Sequence, residues 1–229
     1  MKKITSVLFL FYCFSVGWAQ TVPPCTLEIT DAETFARDWT VIDVNSNVSA
    51  NTWAYNDGNA MYTQDKSNAA DDWLIAPAVT LEAGKAYKVS AYVKHSSTFG
   101  SDKQKIELKI GTAPTVEGLT TRLVYDESFQ SRLFVEKSGT FSPAESGVFY
   151  VGLRCYSGSY MGDLYFQKIV IEEAPVYPVQ ITDLSIVAGE RGAMSATLSW
   201  TWPSSDHLGG ALSNLLGAKI YRGTDLVAT

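Results

Sequence analysis

The feature that most constrains this chain is a period of two. In AYKVSAYVK, residues 86 to 94, Tyr87, Val89, Ala91 and Val93 alternate with Lys88, Ser90, Tyr92 and Lys94. Only an extended strand sends every second side chain to one face. QKIELKI repeats the pattern, with Ile106, Leu108 and Ile110 opposite Lys105, Glu107 and Lys109, and VFYVGLRC and LYFQKIVI carry it further. Between them stand turn-rich stretches: NDGN, LEAGK, SSTFGSDK and SPAESG. No window shows a helical stripe. The expected fold is all-β, a jelly-roll sandwich of short antiparallel strands.

The opening MKKITSVLFLFYCFSVGWA places Lys2 and Lys3 before an apolar run that ends near small residues. This is the pattern of a secretory signal peptide over residues 1–19, cut before Gln20. Bulky Phe11 and Tyr12 before Cys13 argue against a lipid anchor. No other segment approaches the roughly 20 apolar residues of a membrane helix, so the expectation is an exported product, secreted or at the cell surface, without a transmembrane segment. The net charge is −6, and loss of the two leader lysines makes the rest more acidic. Such a balance excludes a nucleic-acid partner of the usual basic kind. Cys25 and Cys155 remain. They either join in the oxidising compartment or stay free, since Cys155 alternates with Val151 and Leu153 on an inward face.

EEAPVYPVQ, residues 172–180, breaks the alternation with Pro175 and Pro178. It divides the chain into a first domain over 20–174, a linker at 175–178 and a second β unit over 179–229. Three more strands are expected in ITDLSIVAGERGAMSATLSWTWP and AKIYRG. That is short of the roughly seven strands of an immunoglobulin-like sandwich, so further domains of the same polypeptide are expected.

Asp71 and Asp72 precede the apolar WLIA. At the mouth of a strand their side chains point to opposite faces, so they cannot share a proton as a facing dyad does. Asp43, Asn45 and Asn47 form D-x-N-x-N, alternate oxygen-bearing side chains of the sort a hard cation takes, although Asn and Asp also make turns unaided. The distal Gly and Glu of a full calcium loop are missing. His95 and His207 stand in no nucleophile, zinc or triad context, and the expectation is a non-enzyme. In CYSGSYMGD, residues 155–163, Tyr156 and Tyr160 stand on a loop between strands, where aromatics either contact a ligand or pack on the sandwich edge. Asn47-Val48-Ser49 fits a glycosylation sequon.

The order WTVIDVNSN, TWAY, GNAMY, ADDWLIAPAVTLEAGKAYKVSAYV, GVFYVGLRCYS resembles the cleaved-adhesin or choice-of-anchor J family, which is related in fold to MAM domains. The resemblance implies a non-catalytic jelly roll of modular surface or secreted bacterial proteins that often binds calcium. It makes Asp43, Asn45, Asn47 and Asp72 the candidate Ca2+ ligands. Gln167 and Lys168 stand where related modules often carry adjacent acids, which puts at least one family calcium site in doubt. The segment from Val179 resembles the first part of a fibronectin type III domain, with Trp200 in the position of its early core Trp and Tyr221 in the next strand. The function so implied is adhesion or docking to a host or matrix protein or a glycan. The alternatives are a carbohydrate-binding module and an accessory region of a hydrolase whose catalytic domain lies outside this chain.

Overall fold

The computed structural model describes residues 21–45, 51–97, 100–207, 209–212 and 215–228. The signal peptide, Asn47 and the sequon lie outside the described residues. Strands β1 (Cys25–Glu28), β2 (Thr40–Asp43), β3 (Trp53–Asn56), β4 (Asn59–Tyr62), β5 (Asp72–Ile75) and β6 (Val79–Leu81) are short. β7 (Tyr87–His95), β8 (Gln104–Gly111), β9 (Thr121–Phe129), β10 (Val135–Phe141), β11 (Gly147–Cys155) and β12 (Leu164–Glu173) are longer. They form two antiparallel sheets. The first runs β10-β7-β12-β4-β3, with β1 also on β12; the second runs β2-β5-β11-β8-β9, with β6 also on β11.

The period of two explains the core directly. Val89, Ala91 and Val93 of β7 and Phe166, Ile169 and Ile171 of β12 face Ile106, Leu108 and Ile110 of β8 and Val151 and Leu153 of β11, all at most 1% exposed. Burial of these side chains contributes about 1.5–3 kcal/mol each, which is why the register is fixed: a slip of one residue would turn the whole set to solvent. Cys155 shares this core at 0% exposure, and Cys25 and Cys155 are both free thiols.

The chain also holds a helix that its apolar spacing does not announce. α1 (Ala32–Asp38) starts where the Asp31 carboxylate accepts the Thr34 backbone N–H at 2.7 Å. Such an N-cap satisfies a donor that the first turn leaves orphaned. With seven residues the helix buries only Phe35, too few positions to draw a stripe.

The second sheet is covered on its outer side as well. The segment between β8 and β9 lays Leu119 across Trp73 and Ile75, with Ile42, Val116 and Tyr150 packed around them. Gly152 makes room for it: a Cβ there would stand 2.4 Å from the Leu119 side chain. The first sheet has no such strap on its outer face among the described residues.

Beyond Glu173 the strands are β13 (Ser185–Ala188) paired with β14 (Ala196–Ser199), and β15 (Ile220–Arg222) paired with β16 (Asp225–Ala228), each pair a separate two-stranded sheet. Little is buried there. Ile186 is 65% exposed and Val187 61%.

Candidate functional site

One end of the sandwich gathers nearly all the polar chemistry, because β2, β4, β7 and β11 end there and β5, β8 and β12 begin there. Asp71 and Asp72 lie at this end and diverge as the pleat requires. Asp71 takes a bidentate pair from Arg154, at 2.7 and 2.9 Å. Asp72 turns inward to 0% exposure. Antiparallel register sets Asp43 directly opposite Asp72, and Trp53 closes the floor by donating its indole N–H to the Asp72 carbonyl at 3.2 Å.

The Asp72 carboxylate is under-satisfied. Oδ2 accepts the Asp71 backbone N–H at 3.1 Å, whereas Oδ1 and the buried Thr52 hydroxyl complete no hydrogen bond among the described residues. Burial pushes its pKa up to about 6; the neighbouring Thr52 hydroxyl opposes this, and nearby Asp43 adds to it. A buried oxygen with an open lone pair, a facing carboxylate and a hydroxyl are oxygen donors of the class that a hard cation takes. Among the described residues no group of three or more His, Cys, Asp or Glu side chains is placed to hold a metal, so the donor set is two carboxylates and neutral oxygens. Asn45 sits at the same mouth, but its amide donates to the Ala69 carbonyl at 2.6 Å, a clamp between two loops. Asn47 lies outside the described residues.

The loop between β11 and β12 is pinned from both sides. Gln104 donates to the Met161 and Gly162 carbonyls at 3.1 and 2.6 Å, and His95 Nε2 donates to the Met161 carbonyl. Gly162 N–H reaches Gln64 Oε1 at 2.8 Å, Asp163 N–H reaches Ser96 Oγ at 2.7 Å, and Tyr160 N–H reaches the Asp65 carbonyl at 2.8 Å. Asp65 is itself fixed by the Ser67 and Asn68 backbone N–H groups, which hold its carboxyl below the usual range. The Ser157 hydroxyl bonds Gln104 Oε1 and accepts the Lys105 N–H. Within this frame Tyr160 adopts φ of 62°, a left-handed backbone uncommon for a bulky residue, and the residue is 59% exposed. Non-glycine residues persist in this region only when their surroundings over-determine them.

Tyr156 goes elsewhere. Its ring stacks on Tyr125 of β9, centroids 6.0 Å apart, with the Arg154 guanidinium 5.1 Å from its centre. Tyr156 and Tyr160 are therefore not a matched pair: the first packs on the outer side of the second sheet, and the second is exposed. Glu107, on the strand face that alternation assigns to solvent, is only 4% exposed. Arg122 at 2.9 Å, Arg154 at 3.5 Å and Lys109 at 3.6 Å surround it. Charges so paired and hydrogen-bonded organise a face rather than stand ready for acid or base work. The Cys155 thiol, pushed up to about 12 by burial, is no nucleophile.

No family model and no curated protein matches the sequence. Among solved structures the chain is similar to the K3 cleaved adhesin domain of Lys-gingipain from Porphyromonas gingivalis, at 11% identity and a TM-score of 0.49, covering 63% of this chain and 97% of that one. The K1 cleaved adhesin domain of the same protein gives 15% and 0.47, over 66% and 99% of the two chains. The apo CBM1 of BiXyn10A gives 20% and 0.46, over 66% and 98%.

The alternation placed the strands that carry these groups but missed three of the partners. Glu107 reads as an ordinary solvent-side residue of its strand, and Tyr125 lies in a strand that the alternation did not single out. Thr52 carries no motif at all. The one signal in reach was the size of the cationic set on β8, β9 and β11, three Arg or Lys side chains that need an acid among them.

Proposed function

We propose that this chain is an exported, non-catalytic binding module that meets its partner through the loop of residues 156–163, in an adhesion or docking role at the cell surface or outside the cell. The observation that carries the reading is Tyr160: an exposed aromatic residue with a left-handed backbone, in a loop tied down by Gln64, His95, Ser96 and Gln104. Holding a contact residue rigid before binding removes the ordering cost that association otherwise carries. Among the described residues no helix is long and apolar enough to cross a membrane. A calcium ion at Asp43 and Asp72, with Thr52 as a neutral donor, forms part of the same proposal, since it would neutralise a buried carboxylate whose Oδ1 completes no hydrogen bond among the described residues. The division into domains 20–174 and 179–229 is likewise proposed, on the change from well-buried to largely exposed strands.

Tyr160→Ala tests the reading. Labelled full-length protein is applied to arrays of extracellular-matrix proteins and of glycans, and retention is compared with the parent chain. Tyr160→Ala should abolish retention and leave the melting midpoint within about 2 °C, as a surface truncation does. Undiminished retention by the variant would remove the loop from the account.

A further inference from the structure

From the uncovered outer face of the first sheet we infer a second binding surface, one that takes a carboxylate-bearing polysaccharide. It rests on the binding-module reading and names a ligand class for it. Lys88, Tyr92 and Lys94 of β7 point outward, the opposite side from the core row. Lys94 pairs in register with Tyr165 of β12, which pairs in turn with Met61 of β4. The Lys94 ammonium lies 4.5 Å from the Tyr165 ring centre and 4.9 Å from that of Phe134, just before β10. At the next outward-facing pair, Lys168 stands opposite Tyr92 and 5.2 Å over its ring. A band of alternating rings and ammonium groups thus crosses β10, β7, β12 and β4, about 15 Å at the usual strand spacing.

Charge selects the occupant. Lys88 is neutralised by Glu136 at 2.5 Å and Lys168 pairs with Glu28 at 3.8 Å, but Lys94 makes no ion pair among the described residues. Two ring faces hold the Lys94 cation through their quadrupoles, an interaction of about 0.5–1 kcal/mol at an exposed site. An incoming carboxylate can pair with this ammonium, which no protein carboxylate among the described residues occupies. The rings then present flat apolar faces to a sugar. Rings, methionine and lysines are all half-buried, a flat surface without the protruding anchor that centres most protein interfaces. The face also adjoins the pinned loop: Ser96, Asp163 and Gln64, which hold it, follow or precede Lys94, Tyr165 and Met61 by two or three residues.

The test is calorimetric titration of the full chain with short oligogalacturonates and with the same oligomers methyl-esterified, which keep the sugar and lose the charge. The acid form should bind, with an affinity that falls as salt rises, and the ester should bind at least about tenfold more weakly, the factor equivalent to about 1.4 kcal/mol. Lys94→Gln and Tyr165→Ala should each lose about tenfold or more, Lys94→Arg should retain binding, and Tyr125→Ala on the other sheet should leave it unchanged; all four should melt like the parent. Equal binding of acid and ester, full binding by Lys94→Gln, no binding of either oligomer, or capture of a protein alone through this face would overturn the inference. Retention lost in Tyr160→Ala while Lys94→Gln keeps it would overturn this surface and leave the loop reading standing.

Discussion

Replacing Asp72 by Asn should stabilise the protein without calcium and have little effect with it. The Asp72 carboxyl has its pKa raised to about 6 in the folded protein, against about 3.9 in an unfolded chain. The folded state therefore holds the proton more tightly, and protonation contributes stability that is complete below about pH 3.9 and is lost as pH rises through about 6. Two units at 1.36 kcal/mol each make the buried charge cost about 3 kcal/mol at neutral pH. With chelator at about pH 7, Asp72→Asn removes that cost, and at roughly 2–4 °C per kcal/mol the midpoint should rise by about 6–12 °C. With a cation bound, that advantage shrinks. A site of about 10 μM in about 1 mM calcium adds roughly 2.7 kcal/mol to the parent, and the variant, lacking its buried anionic ligand, gains little. The gap between the two proteins should then close. Below about pH 3.9 without calcium the midpoints should converge, since Asp72 is then protonated in both the folded and the unfolded state. Differential scanning calorimetry in the three conditions reads this directly. A variant less stable than the parent by the same amount in chelator, in calcium and in acid would refute the reasoning, because it would show that Asp72 is held by hydrogen bonds alone.

Gly162→Ala should destabilise by about 2 kcal/mol or more, since its φ of 81° disfavours a side chain and the new Cβ would sit 2.5 Å from His95 Nε2; limited proteolysis should then cut the 156–163 loop, and an intact loop would count against the clamp. In native protein a thiol reagent should modify Cys25 and spare Cys155, which is 0% exposed with its thiol pushed up to about 12, and denaturant should expose both; fast native labelling of Cys155 would contradict the packing. Arg154→Ala should cost about 2–3 kcal/mol by leaving Asp71 and Glu107 short of their partner, and adding Glu107→Gln should recover part of it in chemical denaturation. No recovery would mean that Arg154 acts through its stacking on Tyr156 instead.

How far the sequence foretold the fold depends on which residues are asked. Val89, Ala91 and Val93, or Ile106, Leu108 and Ile110, declare both strand and inward face, because alternation and burial are the same fact. The divergence of Asp71 and Asp72 follows from the pleat in the same way. Helix α1 was not readable from spacing, although Asp31 with Thr34 three residues later is a capping pattern in plain view. Pairing across the sheets was not readable either: nothing local in DVNSN or DDWL says that Asp43 will face Asp72, since that register comes from burying Val41 and Leu74 together. Glu107 was misplaced because alternation gives direction and not depth, and the cations that close over it come from β9 and β11. Tyr156 and Tyr160 looked like a pair in sequence, and a left-handed turn of backbone separates them.

The strap that lays Leu119 on Gly152 divides the molecule's freedom to vary unequally. On the strapped sheet an outward residue answers to a second small core, so a change at Trp73, Ile75 or Gly152 disturbs packing on both sides of the strand. On the other sheet an outward residue answers only to its neighbours and to whatever it touches in solution. Novelty in such a scaffold can accumulate on one surface while the opposite one is held fixed, and modules that share this architecture can exchange ligands without renegotiating how they fold.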